Sequence, residues 1–318
     1  MLKTAFFRDN HWRGKFIKVT NTSNSIELNG HQVKFTFDPS IDSDFFGRCG
    51  KNGENLCVWT MDNIPLPTYV ESWFPASATV WFKIDSVPIE GYQTYKLYAN
   101  GNKFSPDDVF ELFDDFDDQY FDTNEWYLTW WSSPSGGPMQ PDPDSASTWR
   151  WDEGISFPSK LTFHNNYHKS VRICSHKTFT GDYTAFVRYT RITDIGNIFD
   201  VRIAFPEDEL YVPLIGQIWI NNWSHHTYIK VAGDDTDYEY PVPSSIDQWI
   251  EVSKIGDIFK AKTSWGIDDS KQILESHDTF RFVLIDENWD DYPSHYIAID
   301  LVRITKYIDS EPEVTLLS

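Results

Sequence analysis

The stretch that decides the fold is DYPSHYIAIDLVRITKY, residues 291–307. Every second residue from Ile297 to Leu301 is apolar, and Arg303 follows in the same phase. A period of two is typical of a strand that buries one face in an antiparallel sheet. A single carboxylate, Asp300, stands in the middle of this run. The stretch therefore predicts a long strand with one central acid.

Composition extends this prediction to the whole chain of 318 residues. Phe, Tyr and Trp make up 17% of it, and aromatic residues are enriched in strands. Short alternating runs such as HQVKFTF at 31–37 and ATVWFKI at 78–84 are separated by turn clusters such as NTSNS. The length accommodates two domains of ordinary size. We therefore predict an all-β protein built from two β-sandwich domains.

Charge limits the partners of this chain. It has 48 acidic and 27 basic residues, for a formal net charge of −21, which repels phosphate backbones and anionic lipid headgroups. We expect no nucleic acid partner, and the lack of a long apolar run predicts no membrane insertion. The acid excess favours solubility, with calcium or a cationic partner as the alternative. The opening MLKTAFFRDNHWRGKF predicts no signal peptide.

The three cysteines cannot all pair with one another. Cys49 and Cys57 flank the turn-rich segment GKNGENL and could close a small loop, whereas Cys174 lies in the strand-like run SVRICSHK. The odd count and the missing leader favour free thiols over a disulfide.

The closing strand carries a resemblance to a known family. Residues 300–307, D-L-V-R-I-T-K-Y, are similar to the last strand, x-D-x-V-R-V-x-x-Y, of laminarinase-type and lichenase-type β-glucanases and of their non-enzymatic lectin relatives. Residues 113–130, FDDFDDQYFDTNEWYLTW, resemble the opening strand of such domains. The resemblance implies a concanavalin A-like jelly roll over residues 113–308. Four aromatic residues near its start are expected as core anchors: Phe116, Phe121, Trp126 and Trp130.

The front of the chain resembles something else. The segments WRGKFIKVTN, NGHQVKFTFDPS and ATVWFKIDSVPIEGYQTYKLYANGN, in this order, are similar to a small domain of unassigned function in bacterial, archaeal and viral surface proteins. The resemblance implies a surface module at residues 1–104. Ser105 and Pro106 with two following aspartates predict a short capped helical turn in a linker at 105–112. Residues 309–318 are assigned to a C-terminal tail.

The catalytic motif of the resembling glucanases is missing. These enzymes carry Glu-x-Asp-x-x-Glu on one strand, so that the outer two carboxylates flank the scissile bond. By strand order the corresponding stretch is GQIWINNW, in which Gln217, Trp219 and Asn222 take the three positions. Amides can act neither as nucleophile nor as proton donor, and no Glu-x-Asp-x-x-Glu occurs elsewhere in the chain. We therefore predict that the protein is not an enzyme.

The same stretch predicts a binding surface instead. Aromatic rings pack against the C–H faces of sugars, and amides or imidazoles bond to hydroxyls. The candidate ligand-binding residues are Trp219, Asn222, Trp223, His225 and Tyr228. The alternative is that about half of these rings belong to the core.

Asp300 has a separate candidate role. In the resembling glucanases the aspartate of the last strand supplies one oxygen to a structural calcium on the convex side. The resemblance thus implies calcium at Asp300, and hard oxygen ligands suit that ion.

Together these inferences favour a non-catalytic structural or adhesion protein at the surface of a virion or cell, such as a fibre, decoration or receptor-binding component. It would contact glycan or neighbouring subunits, and we expect a homo-oligomer. One alternative is a glycoside hydrolase of the laminarinase-like fold with displaced carboxylates. The other is a purely structural capsid or tail subunit that binds no ligand. Fold alone does not decide among them.

Overall fold

The computed structural model describes residues 14–22, 24–99, 101, 104–117, 121–132, 140–141, 154–156, 161–165, 169–191, 197–205, 214–221, 226–232, 234–241, 247–274, 278–288 and 295–317. The chain divides into two compact units. Unit 1 combines Met1–Glu111 with Ile308–Ser318, and unit 2 is Leu112–Tyr307. The boundary therefore falls close to the predicted one, but the end of the chain belongs to unit 1.

Unit 1 is built from short antiparallel strands. They are β1 Lys15–Asn21, β2 Leu28–Asn29, β3 Gln32–Phe37, β4 Leu56–Trp59, β5 Pro65–Leu66, β6 Thr68–Phe74, β7 Ser77–Lys83, β8 Ser86–Val87, β9 Gly91–Ala99 and, from the end of the chain, β27 Glu313–Leu317. Sheet I has five strands in the order β27-β1-β9-β4-β5, and sheet II has three in the order β3-β7-β6. The short strands β2 and β8 pair with each other. Alternate residues of both larger sheets, such as Ile17, Val33 and Leu97, share one buried core.

Two segments outside the predicted first domain belong to unit 1. Ser105 precedes the helix α2, Pro106–Val109, and its backbone N–H donates to Asp108 Oδ2 at 2.8 Å. The predicted capped helical turn is confirmed. Residues 309–318 form more than a tail, because Glu313–Leu317 is hydrogen-bonded to β1 as an edge strand of the sheet. The segment, EVTLL, has five residues and no alternation of apolar and polar residues at its end, so its sequence alone did not indicate a strand.

Unit 2 contains the remaining strands. They are β10 Leu112–Asp114, β11 Trp126–Ser132, β12 Gln140–Pro141, β13 Gly154–Ser156, β14 Leu161–Asn165, β15 Lys169–Ser175, β16 Phe179–Thr180, β17 Tyr183–Arg191, β18 Asn197–Ala204, β19 Leu214–Asn221, β20 His226–Val231, β21 Asp234–Pro241, β22 Asp247–Ile255, β23 Ile258–Thr263, β24 Asp268–Gln272, β25 Thr279–Asn288 and β26 His295–Lys306.

These strands form two sheets. Sheet III has the order β13-β14-β26-β17-β22-β23-β24, with β10 also on β26, and sheet IV has the order β12-β11-β15-β25-β18-β19-β20-β21, with β16 also on β25. Phe163, Val187 and Phe259 of sheet III lie in one buried core with Val201 and Ile218 of sheet IV. The two sheets therefore pack face to face, as expected of a sandwich with a two-sheet jelly-roll second domain. The predicted all-β fold class is confirmed.

Large aromatic residues anchor this core as predicted. Phe116, Phe121 and Trp126 are buried in it, whereas the side chain of Trp130 lies outside the described part of the chain. The indole Nε1 of Trp126 donates to Asp114 Oδ2 at 2.9 Å. Its polar atom is therefore satisfied while its ring is buried.

The closing strand departs from strict alternation at Asp300. Across from β17, Tyr189 pairs with Ile299 and Arg188 with Leu301, so that Asp300 is the extra residue of a β-bulge. The bulge shifts the phase, and the core side chains after it are Val302 and Ile304 rather than Leu301 and Arg303. The sequence pattern placed residues 301 and 303 on the wrong face.

The described residues contain two short α-helices, α1 at Ser43–Phe46 and α2 at Pro106–Val109, and two 3-10 helices at Pro39–Asp42 and Gly47–Cys49. Among the residues with a described position, no helix is long and apolar enough to cross a membrane.

Candidate binding face of the nine-stranded sheet

Alternation gives sheet IV two chemically different faces. Val201 and Ile203 of β18 and Ile218 of β19 point into the core. The residues between them, beginning with Asp200 and Gln217, point to the opposite side. We call this side the outer face of sheet IV. Cross-strand pairing places these residues on it: Tyr127, Arg172, Cys174, Asp200, Arg202, Gln217, Trp219, Tyr228, Arg281, Val283 and Ile285.

Trp219 and Tyr228 form an aromatic pair on the outer face. They are direct cross-strand partners on β19 and β20, with ring centroids 5.3 Å apart and planes at 69°. Both side chains are half-buried. Within the described part of the chain the indole Nε1 of Trp219 is enclosed without a hydrogen-bond partner. The pair thus combines apolar ring surface with an unused donor.

The structure brings together two of the five predicted ligand-binding residues. Trp219 and Tyr228 lie side by side on the outer face. Asn222, Trp223 and His225 fall outside the described residues. The binding role of all five stays a prediction.

The strand that corresponds by strand order to the catalytic strand of the glucanases is β19, and its sequence contains no acidic residue. Gln217 is buried on the outer face opposite Arg202 of β18, and Trp219 is opposite Asp200. Asp200 is the one acidic residue in the sequences of β18, β19 and β20. Its Oδ2 accepts from Nη2 of Arg202 at 2.5 Å. This carboxylate is therefore held as one half of an ion pair.

Sequence reasoning missed a group of arginines on the outer face. Arg172 of β15, Arg202 of β18 and Arg281 of β25 surround Cys174, and all three guanidinium groups act to lower the pKa of its thiol. Burial outweighs them and raises the pKa of Cys174 to about 11. The signal was present, because Arg172 and Cys174 share one phase of β15 and Asp200 and Arg202 share one phase of β18. Only the strand order shows that these phases meet.

Tyr127 of β11 contacts Arg281 of β25 on the outer face. Nη1 of Arg281 donates to the Tyr127 hydroxyl at 2.7 Å, and the guanidinium carbon lies 5.4 Å from the ring centroid. Burial is the main reason that the pKa of Tyr127 is raised. In the described structure Nε of Arg281 is enclosed without a hydrogen-bond partner. Arg281 thus keeps one donor for another group.

Asp300 lies on sheet III. Its Oδ2 is 3.1 Å from the hydroxyl oxygen of Thr190, which is also 2.9 Å from Oδ1 of Asp247. A hydroxyl has one proton, so it donates to one carboxylate at a time. Two carboxylates and a hydroxyl are hard oxygen ligands, but calcium takes about six to eight of these. Among the described residues no group of three or more His, Cys, Asp or Glu is placed to hold a metal, and calcium at Asp300 stays a prediction.

Comparison with protein families gives one match. Residues 52–129 match the model of a domain of unknown function, DUF2341. The matched segment covers less than half of the chain and extends from unit 1 into the start of unit 2. No curated protein matches this chain.

Comparison with solved structures finds proteins similar to this chain. LamA from Z. galactanivorans in complex with laminaritriose and laminaritetraose is 14% identical, with 61% of this chain and 98% of that chain covered and a TM-score of 0.46. Bacillus licheniformis β-glucanase is 12% identical, with 62% of this chain and 98% of that chain covered and a TM-score of 0.44. An immunostimulatory antigen and pseudo β-1,3-glucanase of Mycobacterium tuberculosis is 13% identical, with 62% of this chain and 99% of that chain covered and a TM-score of 0.46. A likeness at this level says nothing about activity.

Proposed function

We propose that unit 2 binds a glycan on the outer face of sheet IV and does not cleave it. The observation that carries this proposal is the half-buried pair of Trp219 and Tyr228, whose rings meet edge to face. Aromatic residues with one apolar surface and one polar edge suit the alternating C–H and hydroxyl groups of a sugar. Nε1 of Trp219 is an enclosed donor without a hydrogen-bond partner in the described structure.

Support for binding without hydrolysis comes from the side chains beside this pair. A retaining mechanism needs two carboxyl groups about 5 Å apart, and an inverting one needs them about 6.5–9.5 Å apart. Around Trp219, the described strands β18 to β20 supply one carboxyl group, Asp200, which pairs with Arg202. On the next strand, β21, Glu239 is the cross-strand partner of Tyr228. Gln217 cannot give or take the proton that either mechanism transfers. The geometry therefore favours holding a sugar over cutting it.

We further propose that this binding takes place at the surface of a virion or cell. There the protein would act as a structural or adhesion component and contact neighbouring subunits as a homo-oligomer. Support comes from the sequence resemblance of the front segments to surface modules. Light scattering coupled to gel filtration tests the oligomer, and a monomer at high concentration would contradict it.

Binding is tested by titrating immobilised glycans with wild type and two tryptophan variants. Trp219→Ala removes a ring from the outer face of sheet IV. Trp249→Ala is the matched control, because Trp249 is also half-buried but stacks on Phe186 and pairs with Arg188 on sheet III. We expect Trp219→Ala to weaken binding at least about tenfold, the loss of one good aromatic contact, and Trp249→Ala to leave it unchanged. Equal affinity for wild type and Trp219→Ala would falsify the proposed site.

Cleavage is tested separately by the release of reducing ends from a panel of β-glucans. We expect none from the wild type. Turnover by the wild type that disappears on changing an acidic residue would establish the hydrolase alternative. Binding to no glycan at all would favour the purely structural alternative.

A further inference from the structure

We propose that the glycan is acidic, and that Arg281 and Arg202 on the outer face of sheet IV bind its carboxylate or sulfate group. This inference rests on the proposed function above and names the class of its ligand. The unit would then take polysaccharides that carry uronate or sulfate rather than neutral glucans.

Strand order concentrates positive charge at one place on the outer face. Arg202 pairs with Val283 of β25, two residues from Arg281 on the same phase, and Val283 pairs with Cys174 on the other side. Arg172 is two residues from Cys174. Three guanidinium groups from three neighbouring strands therefore lie around one thiol. Guanidinium groups bind carboxylate and sulfate oxygens through two parallel hydrogen bonds.

The enclosed polar atoms of this face without a hydrogen-bond partner in the described structure include donors and one acceptor, Oδ1 of Asp200. Nε of Arg281 and Nε1 of Trp219 are enclosed, and neither has a hydrogen-bond partner in the described structure. Leaving such donors unfilled is costly, so a bound group that fills them gains affinity. A sugar carboxylate or sulfate brings several acceptor oxygens and no competing donor at that position. An acidic glycan therefore complements this face better than a neutral one.

Two of the three arginines on this face are partly exposed. Arg281 is half-buried and 15% of the Arg202 side chain is exposed, whereas Arg172 is buried. The chain as a whole has a net charge of −21, which opposes the approach of a polyanion. Affinity for an anion has to come from local contacts, and variants of single arginines measure those contacts directly.

The test compares three oligosaccharides by isothermal titration calorimetry at near-physiological salt. Oligogalacturonate carries carboxylates, a carrageenan oligosaccharide carries sulfates, and laminarin oligosaccharide is neutral. We expect wild type to bind at least one of the acidic probes more tightly than the neutral one. The first two probes separate the carboxylate from the sulfate as the recognised group.

Arginine variants place the recognition on the outer face. Arg281→Gln is expected to weaken the acidic probe at least about tenfold, the value of a hydrogen bond to a charged group, and to leave neutral binding nearly unchanged. Arg281→Lys keeps the positive charge but loses the planar guanidinium group. Its affinity for the acidic probe is therefore expected to lie between those of wild type and Arg281→Gln. Arg188→Gln is the matched control, because it removes one exposed positive charge from sheet III.

Each outcome bears on one of the two proposals. If wild type binds laminarin oligosaccharide but neither acidic probe, the acidic ligand is wrong while glycan binding stands. If it binds none of the three and no other glycan, both proposals are wrong. Equal weakening by Arg281→Gln and Arg188→Gln would show that net charge alone acts, and it overturns the arginine site. If Arg281→Gln does not fold, Arg281→Lys is the test. An affinity of Arg281→Lys for the acidic probe equal to that of wild type would reject the bidentate contact.

Discussion

Asp200 and Arg202 form an ion pair within one strand, with 2.5 Å between Oδ2 and Nη2. Two residues apart, they share the outer face of β18 and are almost fully enclosed, with 2% and 15% of their side chains exposed. Such a pair positions charge beside Trp219, and it also makes each member dependent on the other.

Asp200→Asn is expected to destabilise unit 2 by about 3–5 kcal/mol, because the variant leaves a buried guanidinium without its counter-charge. Replacing both residues by leucine should cost less than the single change. Urea unfolding with a reporter in unit 2 measures these free energies. The control is Asp268→Asn in the exposed pair with Lys260 at 3.4 Å, expected to cost at most about 1 kcal/mol. Similar losses for Asp200→Asn and Asp268→Asn would contradict the buried pair.

Gly216→Ala is expected to destabilise unit 2. A Cβ on Gly216 of β19 would overlap the ring of Phe259, which reaches across the core from sheet III. Overpacking of this kind costs about 1–3 kcal/mol. Thermal unfolding checks it against Gly47→Ala, a site with no atom near the new Cβ and a helical φ of −61°. A neutral Gly216→Ala would mean that the two sheets are spaced more widely here.

Removing the residues after Ser310 is expected to expose the edge of β1 in unit 1. Val314 and Leu316 pack against the unit 1 core, and β27 hydrogen-bonds along β1. Hydrogen exchange should show lost protection at Ile17 and unchanged protection in the strands of unit 2. The free energy of unfolding of unit 1 should fall by about 2 kcal/mol, because the two half-buried side chains are removed. Glu313→Gln, an exposed change on the same strand, is the control. Full protection at Ile17 after truncation would exclude β27 as a structural strand.

The thiols are expected to make stability fall in alkaline solution. Cys49, Cys57 and Cys174 are free and buried, and burial raises their pKa values to about 12, 11 and 11. The pKa of a thiol in the unfolded state is about 8.5, so the unfolded state loses its thiol protons at a lower pH than the folded state does. Stability is thus intact below about pH 8.5 and is lost as pH rises towards the folded values.

Two measurements check the thiol prediction. A thiol reagent at pH 8 should label none of the three cysteines in the native protein and all three after denaturation. A variant with alanine at all three positions should lose stability less steeply between pH 9 and 11. An unchanged slope would assign the effect to other groups, such as the buried Tyr95 and the half-buried Tyr127.

Calcium is expected to raise the melting temperature of unit 2 through Asp300 and Asp247, whose carboxylates flank the Thr190 hydroxyl. Asp300→Asn should abolish the increase, because an amide binds calcium more weakly than a carboxylate. Asp268→Asn, in which an exposed acid of another strand is changed, should keep it. A chelated wild type that melts at the same temperature with and without calcium would reject a calcium role for Asp300.

The sequence by itself determined the fold class and the core anchors. Alternation and the burial preference of aromatic rings are local properties, so the strands and the buried Phe116, Phe121 and Trp126 could be predicted from short segments. The same pattern placed Trp219 and Tyr228 on adjacent runs of matching phase.

Tertiary structure decided what one strand cannot specify about its neighbours. Arg172, Arg202 and Arg281 are far apart in the chain and meet only because β15, β25 and β18 are adjacent in sheet IV. The bulge at Asp300 depends on the register with β17, and it reverses the faces of the residues that follow. Strand order and register arise from packing over long sequence separations. The local period contains neither of them, and both are needed to see a cationic face in a strongly acidic protein.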